Sequence, residues 1–395
     1  MGYDTRMNRA SSRPSGPLSG VTVVDLTRVL AGPFATMVLH DLGARVIKAE
    51  RAGVGDDARH IGPFVGDRSA YFTSLNGGKE SIALDLDLPS DRDVLERLLG
   101  RADVVVENFR PGTMDRLGFG WDALHARHPR LIYAAVSGFG RTGPYSQRPA
   151  YDMVVQGMGG VMSITGEDGG LPTRVGASIG DITAGLFLVA GVNAALYHRA
   201  VTGEGMLLDV GMLDCQVAIL ENAIARYTAL GDVPGPIGAR HPSITPFAAL
   251  RTRDGEVIVA AGNDKLFAQL CEVVGQPALA TNPLFLTNAL RTEHVHALHD
   301  ELERALAART STEWLDALEA AGIPCGPLND VAAVVADPHV RARHMIVDID
   351  DERVQPLRAA GNPLKWSAFD DLEVRPSAPD LDEHRTALLE ELDVT

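Results

Sequence analysis

The thirty residues VTVVDLTRVLAGPFATMVLHDLGARVIKAE (21–50) constrain the fold more than any other part of this chain. The β-branched run VTVVDLT (21–27) reads as a buried strand. In GPFATMVLHDLGA (32–44), Pro33 stands near a helix start and Gly43 at its end. RVIKAE (45–50) is a second strand. Two strands separated by a helix pair in parallel, because the helix carries the chain back along the sheet. The alternation then returns. SDRDVLERLLGRA (90–102) is an amphipathic helix opened by Ser90, and DVVVEN (103–108) is a strand. WDALHARHP and RLIYAAVSGFG repeat the pair. Residues 17–150 therefore read as a doubly wound α/β domain.

Beyond it, Ile182 to Tyr197 is the most apolar segment. It falls a little short of membrane-spanning length, contains Thr, Asn and two Gly, and reads as a buried core helix. TGEGMLLDVGMLDCQVAILENAIARYTAL (202–230) suggests a strand and a long helix. GDVPGPIGARHPS (231–243) is a Gly/Pro-rich loop. FAALRTRDGEVIVAAG (247–262) is a hairpin turning at Asp254-Gly255. Helical stretches follow to about 322, one opened by the capping box of Thr310 and Glu313. A Pro-interrupted tail carries a strand-like run and a final helix. The expected divisions are a disordered extension over 1–16, the first part of a large domain over 17–224, a smaller α+β domain over 225–325, and a segment over 326–395 that returns to the large domain. The opening MGYDTRMNRASSRPSGP lacks the apolar core of a secretory signal.

The net charge of −16 argues against non-specific nucleic-acid binding, so an anionic ligand must be met by a few placed arginines. Cys215, Cys271 and Cys325 are far apart with no CxxC, and read as reduced thiols of a cytoplasmic protein. Glu50 ends the second strand where a ribose-binding acid would sit, but TRVLAGPF lacks the G-x-G-x-x-G of a dinucleotide site. His296 and His299 of HVHALH share a helical face without a cysteine or carboxylate partner, and read as a solvated face; no metal is expected. In GASIGDITAGLF (176–187), Ser178 fits the G-x-S-x-G of serine hydrolases. The preceding GGLPTRV, however, makes a poor strand. Asp181 in the same stretch reads as a helix N-cap, a role compatible with that of a reactive carboxylate held ionised by the helix dipole. Gly176, Ala177, Ser178 and Gly180 leave a ligand room to approach it.

Longer stretches carry a resemblance. LSGVTVVDLTRVLAGPFATMVLHDLGARVIKAERAGVGDDAR, YFTSLNGGKESIALDL, ADVVVENFRPGTMDRLGFGWDAL, LIYAAVSGFGRTGPYSQRPAYD, GDITAGLFLVAGVNAALYHR, GIPCGPLNDV and DPHVRAR resemble the family III CoA-transferases, which include formyl-CoA and carnitine CoA-transferases. The likeness covers about 17–390. It implies a Rossmann-like large domain plus a smaller α+β domain, in an interlocked, ring-like homodimer. It implies that Asp181, in its G-D turn, is the catalytic residue. It implies a coenzyme A site at Val29, Leu30, Ala31, Arg51, Leu84, Asp85, Leu86, Asp87, Asn108, Phe109, Arg116, Ser137, Gly138, Phe139 and Gly140. Arg51 and Arg116 would meet the phosphates.

Two departures narrow the reading. Formyl-CoA transferase has His and Gln where this chain has Arg28 and Leu30, and a glycine run in place of GARHPSITP (238–246), which points away from formyl and oxalyl substrates. The α-methylacyl-CoA racemases, a branch of the same fold, have a catalytic His where this chain has Tyr151, just before Asp152. DLTRVLAGPFATM, AYD and HPSITPF look most like the succinyl-CoA–glutarate CoA-transferase branch. Arg28 and Arg240 are then candidates to pair with the far carboxylate of a dicarboxylic acid, with Tyr151, Gly238 and His241 on the substrate side and N–H groups of 238–243 for the oxyanions. The expected reaction moves CoA from an acyl-CoA to a free acid such as succinate or glutarate, through an aspartyl anhydride and an aspartyl-CoA thioester. A racemase-like isomerase and a Ser178 hydrolase are the alternatives.

Overall fold

The computed structural model describes residues 15–394, and all but the last two residues of the expected 1–16 extension lie outside them. Six strands form the main sheet: β1 (Thr22–Asp25), β2 (Arg45–Arg51), β3 (Glu80–Leu84), β4 (Val104–Glu107), β5 (Ile132–Ser137) and β6 (Leu207–Gly211). Their order is β3-β2-β1-β4-β5-β6, and every pairing is parallel. Strand order reverses between β1 and β4. The loops leaving their carboxyl ends diverge there and open a crevice, the usual ligand position in such sheets.

Helices cover both faces. Val23, Val104, Val106, Ile132, Ala134 and Val136 share one core with α1 (Ala31–Asp41). Val24, Val105, Tyr133 and Ala135 alternate onto the other, against Val94, Leu95, Leu98 and Leu99 of α2 (Pro89–Arg101). Burial on both faces is why these strands read as unbroken apolar runs. α3 (Asp152–Met158) precedes the long α4 (Ile179–Thr202). α4 packs closely on α1: a Cβ added at Gly185 would lie 2.9 Å from the Ala31 carbonyl oxygen. Its buried stripe includes Ala184, Leu188, Val189 and Val192, but Leu186, Phe187, Tyr197 and Val201 are exposed. The expected core helix is therefore buried on one face only. Apolar composition does not say which faces find cover within the same chain.

The described residues form two compact units: 15–161, Arg174–Ala225 and 338–394 make the first, Met162–Thr173 and Arg226–Asp337 the second. In the second, β7 (Phe247–Arg251), β8 (Glu256–Ala260) and β9 (Cys325–Pro327) form an antiparallel sheet. α5 (Asp264–Val273), α6 (Val295–Leu306) and α7 (Ser311–Ala320) supply Phe267, Leu270, Leu302, Trp314 and Leu318 to its core. Thr310 and Glu313 form the expected capping box. The long helix expected after β6 is two, Met212–Ala218 and Asn222–Leu230, with Glu221 at φ 50° between them.

The tail returns to the first unit. Leu388 of α8 (Arg385–Glu391) and Leu392 complete the α2-side core. Just before that helix, the Asp382 carboxylate accepts the Ala83 N–H at 2.7 Å, and His384 exchanges hydrogen bonds with the Ser81 backbone. These contacts cover the outer edge of β3.

Candidate active site

Two cavities, of about 330 and 320 Å³, lie at the carboxyl ends of the strands and share Arg28, Asp57 and Phe109 in their walls. Arg51, Leu84, Asp85, Leu86 and Asp87, from the ends of β2 and β3, line the first. Val29, Leu30, Ala31, Asn108, Ser137, Gly138 and Tyr151 line the second, together with Asp181. The three remaining residues of the expected CoA set line neither. Arg116 donates to Thr113, which does line the first cavity, at 3.1 Å. Phe139 is buried edge-on against Tyr145, and Gly140 turns the chain at φ 75°. Gly138 has a steric reason: a Cβ there would meet that of Ala150 at 2.5 Å.

Asp181 is the third residue of α4, not its cap. The Ser178 side chain makes no capping bond, and the Gly180 N–H is taken by Asp152 Oδ1 at 2.8 Å. Gln156 and Arg174 bind the other Asp152 oxygen at 2.8 and 3.2 Å. The Asp181 carboxylate is left facing the cavity that Ala31 also lines. Burial, then the charge of Asp152, push it up to about 7, against the smaller pull of the Ala31 N–H. The helix dipole, expected to keep it low, is outweighed. A carboxylate titrating near neutrality is more basic than an ordinary aspartate yet substantially ionised at pH 7. Tyr71, in the helix Ala70–Asn76, feels the same charges: burial and then Asp181, Asp56 and Asp152 push its hydroxyl up to about 12. Sequence reasoning missed the effect of Asp152, because no local spacing ties it to residue 181.

The loop after β1 stands on buried charge. Arg28 and Asn108 exchange hydrogen bonds, backbone N–H to Oδ1 at 3.0 Å and Nδ2 to backbone oxygen at 2.7 Å. The Arg28 guanidinium, half exposed, pairs with Asp57 at 2.8 Å. Val29 has φ 67° and donates its N–H to Asp56 at 2.9 Å. Lys48, fully buried, meets Asp56 at 2.8 Å and the Thr27 carbonyl at 2.7 Å. Beneath them, Lys79 meets Asp25 at 3.1 Å and also binds Thr36 and Asn76. Glu50 is bonded to Arg59 and Ser81, each at 2.7 Å, so it is not the free acid a ribose would need.

Gly238, Arg240 and His241 lie in the second unit. The Gly238 N–H bonds Gly166, Arg240 pairs with Asp168 at 3.3 Å, and His241 stacks on Phe247. His296 stands 3.8 Å from the same Asp168, and among the described residues no group of three or more His, Cys, Asp or Glu could hold a metal. Ser178 bonds Arg174 at 3.2 Å, and residues 170–178 contain no strand, so the strand-turn-helix of a nucleophile elbow is missing.

A model of CoA-transferase family III matches residues 18–385. The acetyl-CoA:oxalate CoA-transferase of Acetobacter aceti is 47% identical over 96% of this chain and 97% of its own. Human succinyl-CoA:glutarate CoA-transferase is 38% identical over 95% of this chain and 86% of its own. A solved structure of a CaiB/BaiF family protein from Brucella suis superposes with a TM-score of 0.84 at 40% identity, covering 96% of this chain and all of that one. With likeness running through the whole fold and every strand end that lines the cavities, the chain belongs to CoA-transferase family III.

Proposed function

We propose that this enzyme transfers CoA from an acyl-CoA donor to a free dicarboxylic acid, with Asp181 as its nucleophile. The observation that carries this reading is the Asp181 carboxylate, raised to about 7, in a cavity that shares a wall with the one over β2 and β3. Asp181 attacks the donor thioester, forming a mixed anhydride and releasing CoA thiolate. The thiolate attacks the aspartyl carbonyl, giving aspartyl-CoA and the donor's free acid. The acceptor carboxylate attacks that thioester, forming a second anhydride and freeing the thiolate again. Thiolate attack on the acceptor's carbonyl yields the new acyl-CoA and restores Asp181. Each intermediate stays activated as long as water is kept out. CoA enters as substrate along the first cavity, with Arg51 and Arg116 for its phosphates.

Arg28 is the cation for the acceptor's far carboxylate. It stands in the wall common to both cavities, and Asp57 uses only part of its five-donor guanidinium. Because the pair is half exposed, Arg28→Leu is expected to raise KM for succinate or glutarate only about tenfold, near 1–2 kcal/mol. KM for acetyl-CoA and for monocarboxylic acceptors should change little. Product mass spectrometry over succinate, glutarate, oxalate, acetate and butyrate reads both points. Oxalate belongs on the panel as the acid in the name of the 47% identical relative. A wild-type preference for acetate or butyrate would remove the dicarboxylate assignment.

The same reading makes the first unit a Rossmann-like domain and the enzyme an interlocked homodimer. Support comes from the uncovered face of α4, where Tyr197 and Val201 are 75% and 70% exposed. A second copy would bury that face. Sedimentation should give twice 42.1 kDa, and Phe187→Glu with Val201→Glu should shift it toward one chain. A monomeric wild-type protein at micromolar concentration would end the dimer proposal. Three free thiols support a cytoplasmic location, which activity found in a secreted fraction would contradict.

A further inference from the structure

We propose that Asp56, locked by Lys48, is a positioning residue for Asp181: it holds Val29 in a left-handed backbone conformation and so aims the Ala31 N–H at the Asp181 carboxylate. The proposal rests on the reading of Asp181 as nucleophile.

Five non-glycine residues among those described have positive φ. Glu221, His344, Asp382 and Asp393 are polar; Val29 is the one β-branched side chain, the type that most avoids this region. Such a conformation persists only where neighbours over-determine it. Here they do so from beneath. The Val29 N–H is held by Asp56 Oδ1, which also takes the Ala58 N–H at 2.9 Å. The Asp56 N–H is in turn held by Glu50 at 3.0 Å. Lys48 grips the other Asp56 oxygen and, two residues before Val29, the Thr27 carbonyl. Burial works against both charges, but Lys48 holds Asp56 below the usual carboxylate range, and Asp25 and Asp56 hold Lys48 above its own, so the pair is ionised.

The loop so held delivers the start of α1. Leu30 is the cap of that helix and makes no side-chain cap bond, so the Ala31 N–H is an orphan of the first turn. Its pull is felt at the Asp181 carboxylate. A one-residue shift in this loop would turn that donor away and leave the like charge of Asp152 unopposed. A buried ion pair by itself adds little stability over an apolar one of similar size. The specific task falls to the Asp56 oxygen that accepts the Val29 N–H of the strained turn.

The test separates the acceptor from the charges. Lys48→Met/Asp56→Asn removes both charges and keeps an oxygen for the Val29 N–H; Lys48→Met/Asp56→Leu removes the oxygen too. The first should keep kcat within about fivefold, and the second should lose about thirtyfold, with KM for acyl-CoA moving less than about threefold. In the second, the acid limb of kcat/KM should rise by about half a pH unit, since Asp181 loses a donor. Adding Val29→Gly to the second should recover at least about fivefold, because glycine adopts this backbone without help. A merely structural loss would scale activity equally at every pH and would ignore Val29→Gly. Equal kcat and equal acid limbs in the two double variants would overturn the proposal, as would no response to Val29→Gly. Should Lys48→Met/Asp56→Leu fold only with Val29→Gly added, the strain account stands. Should it fold with neither, Lys48→Met/Asp56→Asn decides: a displaced acid limb there overturns the proposal and an unmoved one supports it. An active Asp181→Asn enzyme ends the nucleophile reading whatever these double variants do, whereas an inactive one with indistinguishable double variants ends only the positioning role.

Discussion

Replacing Asp181 with asparagine is expected to slow CoA transfer on the order of 10⁴-fold or more, the scale of losing a covalent nucleophile. The amide has the shape of the carboxylate but cannot form the anhydride. In the wild-type enzyme, hydroxylamine added during turnover should leave a hydroxamate on the Asp181 peptide, and kcat/KM should fall off below about pH 7. The same ionisation predicts a gain elsewhere. Burial and Asp152 raise the folded-state value from 3.8 to about 7. Between those limits the folded chain holds a proton that the unfolded chain has lost, so stability falls as pH rises through the window. At pH 8 an ionised Asp181 costs on the order of 2–4 kcal/mol, and Asp181→Asn avoids it. The variant should therefore resist urea better than wild type at pH 8, with a smaller gap at pH 5.5. A variant that keeps near-normal turnover would refute the mechanism. An inactive variant with no stability gain at pH 8 would reject the raised ionisation alone.

Lys79→Met is expected to cost stability as severely as Asp181→Asn costs rate. Lys79 and Asp25 are both buried, their side chains 0% exposed. Burial alone would raise the Asp25 carboxyl, yet Lys79 and Lys48, with Thr27 and Thr36, hold it far below the usual carboxylate range. Removing Lys79 also strips Thr36 and Asn76 of a donor. A buried charge that loses its partner costs about 3–5 kcal/mol. Adding Asp25→Asn should restore part of that, because a neutral amide is easier to bury than a carboxylate. The exposed pair of Arg97 and Asp93 is the contrast, since breaking it should cost under about 0.5 kcal/mol. Urea midpoints of the variants decide the matter, and a Lys79→Met loss below about 1 kcal/mol would contradict the account.

What the sequence made legible was local. Strand-helix-strand spacing over 21–50 pointed to the parallel sheet, because a crossover helix leaves no other pairing. The Asp254-Gly255 turn and the Thr310 box are written in adjacent residues and stand where expected. The order of β3 through β6 was not readable, since it depends on which side of β1 each crossover lands. Residues 162–173 could not be assigned to the second unit from composition. Their attachments, such as the bond from Gly238 to Gly166 and the pair of Arg240 with Asp168, join residues 72 positions apart. Small residues around Asp181 and its G-D turn pointed to a residue that lines the second cavity. Its state did not follow, because the charge that governs it comes from Asp152, on another helix. In the same way, Asp25 and Lys79 look like ordinary surface letters until folding brings them together.

The closing of β3 by the tail bears on how this protein is made. The carboxylate that caps the Ala83 N–H sits 299 residues further along the chain. A growing chain therefore carries β3 with its outer edge bare through most of synthesis, and a bare edge is a template for mispairing. Leu388 and Leu392 arrive later still, so the core under α2 has gaps until they dock. A stop codon near residue 380 would remove little mass but would act as a folding lesion, exposing strand and core together. Nascent chains stalled before that point should be retained by chaperones, and full-length chains released from them.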